Sequence, residues 1–152
     1  RSSYLRDCLE GIEALREGKS YQIGNISFST PIRHIHPVET YGMIFKTAAH
    51  TFSYIADSRY SDDLYRSYAG ELLIMNVVLL EAKHYIDHLS VADARHIITE
   101  LKPKVAILTH FGIPMWQAKP WEIAQRISEE TGIKVIAARD GMKFELSQLD
   151  SA

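Results

Sequence analysis

The period of the apolar positions changes several times along the chain, and each change marks a predicted element. Tyr4 to Arg16 carries Leu5, Cys8, Leu9, Ile12 and Leu15 at helical spacing, with Gly18 placed to stop a helix. Two short strands follow, Ser20–Ile23 and Ile26–Thr30, joined by a Gly24-Asn25 turn. Tyr41–Thr47 and Thr51–Ala56 read as a further strand pair across Ala48-Ala49-His50. Leu72–Val78 and Val105–Thr109 are almost continuously apolar, as strands buried on both faces are. Between them, Ser90 with Asp93 forms a capping box ahead of Ala94, Ile97, Ile98 and Leu101, a helical face that Pro103 ends. Pro120 opens another helix, which Gly132 stops near Thr131. Lys134–Ala138 and Met142–Leu146 read as a closing hairpin around Asp140-Gly141.

Strands thus interleave with helices, and the fold class is α/β or α+β with a mixed sheet flanked by helices. The expected organisation is an N-terminal helix over 1–18 and one compact unit over 19–148. A length of 152 residues fits one domain, and 46% apolar with 24% charged residues is the mix of a globular chain with a real core. The charge sum, 17 − 19 = −2, shows neither a basic stripe for nucleic acid nor an acidic tail. Cys8 is the only cysteine, which excludes an internal disulfide and points to the cytoplasm. No apolar run approaches the ~18 residues of a membrane helix. The chain opens Arg-Ser-Ser rather than with Met, so it is expected to be trimmed or part of something longer.

Candidate chemistry lies at strand ends, where scaffolds present functional groups. His36 follows the second strand, Asp57 ends Phe52-Ser53-Tyr54-Ile55-Ala56, and His110 ends Val105–Thr109. Two imidazoles and a carboxylate are part of a ligand set for zinc, manganese or iron. Spacing alone leaves the plainer alternatives open: surface histidines, and an Asp57 that caps the turn at Ser58. His34 forms an H-x-H pair with His36, but Pro37 and the missing Asp-His argue against it as a ligand. His50, His84 and His96 carry no spacing signal. Tyr60, Tyr65 and Tyr68 are spaced to pack a short helix rather than to stack on bases.

The wording around these residues goes further. His36-Pro37-Val38-Glu39-Thr40-Tyr41-Gly42, Tyr54-Ile55-Ala56-Asp57-Ser58-Arg59 and Leu108-Thr109-His110-Phe111 resemble the third, fourth and fifth motifs of metallo-β-lactamase-fold hydrolases. His88-Leu89-Ser90-Val91-Ala92-Asp93-Ala94 is similar to the His-Ser-Thr segment of the phosphodiesterase branch, seen in ribonuclease Z and cyclic-phosphate phosphodiesterases. With the terminal Ala137-Ala138-Arg139-Asp140-Gly141-Met142, the resemblance runs from Ile23 to Leu146, about four-fifths of the chain.

The resemblance implies the second half of an αββα sandwich and a two-metal hydrolase, zinc first among the candidates. His36 would bind one metal, His110 the other, and Asp57 both. The metals would supply hydroxide near neutral pH to attack an ester, a phosphodiester before a lactam or thioester. His88 would sit at the rim, stabilising the reacting group or protonating the leaving oxygen, with Asp57 as its catalytic partner. No cofactor other than metal is implied.

The family's H-x-H-x-D-H string is absent from the sequence. Two protein ligands per metal fall short of the three expected at a catalytic zinc. The chain by itself is therefore expected to bind metal poorly and hydrolyse little. Its sheet should also expose an apolar face that favours association with another copy or with a missing N-terminal half. The alternatives are a truncated, non-catalytic binding or dimerisation module, and a ribonuclease Z-like nuclease. The charge balance gives the nuclease no support.

Overall fold

The computed structural model describes residues 11–151. Seven strands form one sheet in sequence order: β1 (Lys19–Ile23), β2 (Ile26–Thr30), β3 (Met43–Lys46), β4 (Thr51–Ile55), β5 (Leu72–Asn76), β6 (Val105–Thr109) and β7 (Lys134–Ala137). β1 to β4 pair antiparallel and β4 to β7 pair parallel, so the sheet is mixed as expected. The switch follows from the connections. Short turns join β1 to β2 and β3 to β4, and a longer loop over 31–42 joins β2 to β3. By contrast, α1 (Asp62–Ser67), α2 (Val91–Leu101), and α3 (Ile113–Gln117) with α4 (Pro120–Thr131) fill the later crossovers.

The four helices of the described residues lie on one face. Leu64, Ala94, Ile97, Ile98, Met115 and Ile127 close over Ile55, Leu73, Met75, Ala106 and Leu108 in a single buried cluster. α2 starts as its sequence requires: the Ser90 hydroxyl accepts from the Asp93 amide, and the Asp93 carboxylate accepts from the Ser90 amide at 2.8 Å. Such a cap is worth about 0.5–2 kcal/mol, and here it also fixes where the preceding His88 loop ends.

The opposite face is covered at one end only. Tyr21, Phe28, Phe45 and Phe52 stand opposite one another across four strands, with neighbouring centroids 4.8–5.6 Å apart, and they are half-buried. Beyond them, Leu149 of a closing 3₁₀ turn (Leu146–Ser151) buries Leu72, Val105 and Ile107, with Phe144 and Leu146 beside it. This corrects the closing hairpin. Gly141, at φ +76°, turns the chain, but residues 142–145 form no strand. Their apolar side chains gain more by covering the bare β5–β6 face than by extending the β7 edge. The expected exposure of this face is thus reduced to partial exposure.

The helix expected over Tyr4–Arg16 lies largely outside the described residues, and 11–16 carries no regular element. Gly18, at φ +70°, does not cap a helix; its amide bonds to the Thr30 carbonyl at 2.7 Å and starts β1. α1 and α3 are too short for their periodicity to be read, although the tyrosine spacing hinted at the first. Among the described residues no helix is long and apolar enough to cross a membrane.

Candidate metal centre

The residues singled out at strand ends meet along one edge of the sheet. Asp57 lies two residues beyond β4, His110 directly after β6, His36 in the β2–β3 connection and His88 in the loop between β5 and α2. The His88 loop is held over the site because Leu79 pairs with Ser90 in a short parallel bridge. The Leu79 amide also donates to the Leu89 carbonyl at 3.0 Å.

Asp57 is the hub. Its Oδ2 lies 3.3 Å from His110 Nε2, and its Oδ1 lies 3.6 Å from His88 Nδ1. Oδ1 also accepts a 2.8 Å hydrogen bond from Asn76 Nδ2, and Asn76 Oδ1 in turn accepts from the Tyr54 hydroxyl at 3.2 Å. His36, Asp57 and His88 each offer a ligand atom, all within 4.8 Å of one another. The ring of His88 stands between those of His36 and His110, at 5.5 and 6.3 Å between centroids. The sequence reading placed His88 at the rim; the structure brings its nitrogen into the cluster.

Two observations test whether these groups suit a metal ion. The Thr40 hydroxyl lies 3.0 Å from the Val38 carbonyl, to which it can only donate, and 3.2 Å from His36 Nδ1. With its one proton on the carbonyl, both contacts are satisfied when Nδ1 carries the ring proton. His36 Nε2 therefore holds a lone pair, which is how a ligating histidine is prepared. Among the described residues His88 Nδ1 is buried with no hydrogen-bond partner, a cost that a cation among these ligands would remove. The donor set fits a divalent ion such as zinc.

His34 is not part of the cluster, as its sequence context indicated. It is 3% exposed, its Nε2 lies 2.8 Å from the Tyr68 hydroxyl, and burial lowers its pKa below 6.5. His50 is half-buried and bonds Glu71 at 3.2 Å, so it is a structural group rather than a free surface residue. His96 packs edge-on against Tyr60 and Tyr65.

The backbone at His110 is unusual. Its φ is +60°, a left-handed conformation shared among the described non-glycine residues by Lys102 and Lys119, which cap helices, and for a residue with a Cβ it costs about 1–3 kcal/mol. Gly112 explains how the chain makes this turn: a Cβ there would lie 2.6 Å from the Val78 carbonyl oxygen. Beside His110 opens a cavity of about 850 Å³, lined by Tyr54, Asn76, Thr109, Phe111, Trp116 and Arg139 among others. Asn76, which holds Asp57 by hydrogen bond, is the residue of this cluster that no sequence motif marks. Its one signal is a lone amide closing an otherwise apolar strand.

A family profile described as the beta-lactamase superfamily domain matches residues 2–111. An uncharacterised protein of Methanocaldococcus jannaschii is 31% identical over 95% of this chain and 55% of its own length. The metallo-beta-lactamase fold protein YhfI from Bacillus subtilis is similar in structure at a TM-score of 0.74 and 22% identity, over 86% of this chain and 54% of that one. A diphosphatase from the PhnP family gives 0.64 and 20%, over 86% and 47%. Human tRNase Z, short form, gives 0.60 and 16%, over 83% and 45%. The chain thus spans about half the length of the relatives it matches. The mixed sheet with helices on one face is the metallo-β-lactamase fold of those structures, and with the profile covering most of its length the chain belongs to the beta-lactamase superfamily.

Proposed function

We propose that this chain carries part of the active site of a divalent-metal-dependent hydrolase that cleaves a phosphodiester. The observation that carries the reading is the convergence of His36, Asp57 and His88, with His110 on the far oxygen of Asp57. A bound divalent ion, zinc before manganese or iron, would supply Lewis acidity toward the ester and acidify the attacking water. His36 through Nε2, Asp57 and His88 through Nδ1 would hold it, and Asp57 Oδ2 with His110 offers part of a second position. Asn76 keeps the carboxylate aimed by occupying Oδ1 from the sheet side. Arg139 supports an anionic substrate: among the described residues it has no ion-pair partner, and it lines the cavity next to His110.

A second reading of His88 keeps it as the group that hands a proton to the leaving oxygen. Its position between His36 and His110 favours this, because that is where an ester bridging the two sides would lie. Removal of His88 separates the two roles: a ligand's loss releases metal, a proton donor's loss does not.

The likeness in fold to a diphosphatase and to tRNase Z agrees with phosphodiester chemistry but does not carry it. Further ligands would come from outside these 152 residues, and the half-covered aromatic face is where another copy or the rest of a longer chain would pack. A single cysteine suits a reducing cytoplasm. The direct test compares hydrolysis of bis(p-nitrophenyl) phosphate, a lactam and a thioester with zinc or manganese added. Faster phosphodiester cleavage, lost on chelation and in Asp57→Ala, is expected. Preference for the lactam or thioester, or an unchanged Asp57→Ala rate, would overturn the proposal.

A further inference from the structure

The loops that carry His36 and Asp57 are joined by a set of hydrogen bonds that the sequence motifs do not require. The Ile35 amide donates to Ser58 Oγ at 3.2 Å, and the Arg59 amide donates to the Ile35 carbonyl at 2.9 Å. Between them, His34 Nδ1 lies 3.3 Å from the Asp57 backbone carbonyl, and its Nε2 lies 2.8 Å from the Tyr68 hydroxyl. A carbonyl can only accept, so Nδ1 carries the proton, Nε2 accepts, and Tyr68 donates. Both side chains are deeply buried, at 3% and 0% exposure, so neither bond competes with water.

Tyr68 is itself fixed from two directions. It closes α1, where its amide bonds to the Leu64 carbonyl, and its ring meets His34 edge-on at 5.6 Å between centroids. On its other side stands Gly42, where a Cβ would lie 2.6 Å from the tyrosine hydroxyl and 2.5 Å from the Tyr54 carbonyl oxygen. The backbone approaches the hydroxyl as closely as a residue without a side chain permits. A lone buried pair would need no such clearance; this one is built into the junction between the loop of His36, the end of β4 and the end of α1.

We infer that His34 and Tyr68 are positioning residues for the metal centre: the Tyr68–His34–Asp57 chain sets the distance between the Asp57 carboxylate and His36. The inference rests on the reading of His36, Asp57 and His88 as metal ligands. Neither residue is among the three that would hold the ion. His34 holds the main chain of Asp57 from beneath while Asn76 holds its carboxylate from the side, so two independent contacts determine where the ligand oxygens point. Partners of this kind typically control metal affinity by about 10–100-fold.

The test is a cobalt(II) titration of the whole chain, following the visible d–d absorbance. Tyr68→Phe removes one oxygen and should weaken cobalt binding about tenfold and change the band shape. His34→Leu should weaken it at least as much. His34→Asn keeps a donor near the Asp57 carbonyl and should recover part of the loss. Ile98→Val, in the helix-side core, serves as a control that lowers Tm without changing cobalt affinity. If Tyr68→Phe and His34→Leu lower Tm but bind cobalt as the wild type does, the pair is a structural brace only and the inference fails. If the wild type binds no cobalt, or Asp57→Ala binds as well as the wild type, the metal reading itself fails and takes the inference with it.

Discussion

The two sides of the candidate centre are prepared to different degrees. On one side, His36 has its Nδ1 engaged by Thr40, and Asp57 is held through its carboxylate by Asn76 and through its carbonyl by His34. On the other, His88 Nδ1 has no hydrogen-bond partner among the described residues, and the His110 side chain is 55% exposed on a backbone in the left-handed region. The first side is set before any ligand arrives. In the second, His88 is placed by the loop ahead of α2 and His110 by the end of β6, and their rings approach Asp57 at 3.6 and 3.3 Å. Asp57 thus joins a fixed half-site to a loosely held one, and perturbations should spread from Asp57 and fade outward.

The largest effect should follow from removing that junction. Asp57→Ala is expected to reduce metal binding below detection in elemental analysis, because both halves lose their common ligand. His88→Ala should come next and release metal, whereas His110→Ala should release less, since His110 lies outside the three-residue cluster. Equal retention of metal in both would return His88 to a proton-handling role and weaken the contrast between the sides.

Asn76→Ala removes the sideways support of the carboxylate and should cost about 10–100-fold in metal affinity by calorimetry. Gly112→Ala acts on the looser side only. Its new Cβ would collide with the Val78 carbonyl, which should destabilise the fold by about 1–3 kcal/mol in chemical denaturation and disturb His110 before His36. A disturbance of both rings in NMR spectra would mean the sides are not separable.

The smallest expected effect is on pH dependence. Burial lowers the folded pKa of His34 below 6.5, so the unfolded chain binds the proton more readily. The stability conferred by neutral His34 is complete above pH 6.5 and is lost as pH falls through that value toward the lower folded pKa. Urea midpoints should therefore fall in this window for the wild type, and less so in His34→Leu. An identical slope in both would show that His34 does not contribute.

Much of this architecture is legible in the residues. Continuous apolar runs mark β5 and β6, Gly24 supplies the positive φ of the first hairpin, and Ser90 with Asp93 encodes the start of α2. Asp57 and His110 follow the ends of β4 and β6, which the parallel half of the sheet brings to one edge, and His36 and His88 reach that edge on the loops after β2 and β5. Two things were not legible. The 142–146 segment alternates like a strand, yet its apolar residues are drawn to an uncovered sheet face that only the tertiary fold defines. Asn76 shows in the sequence only as a lone amide in an apolar run, His34 as half of an H-x-H pair and Tyr68 as a helix-packing tyrosine. None of these patterns marks the contacts they make across 19–34 residues of sequence.

The central claim is that these 152 residues bring enough ligands together to hold a metal ion. It is tested most directly by elemental mass spectrometry of the chain, purified without a metal-affinity tag and dialysed against trace zinc. Three converging protein ligands and an open position predict about one zinc per chain. A zinc content indistinguishable from the dialysis buffer would contradict the account, and would mean that the convergence of His36, Asp57 and His88 does not make a binding site in this chain.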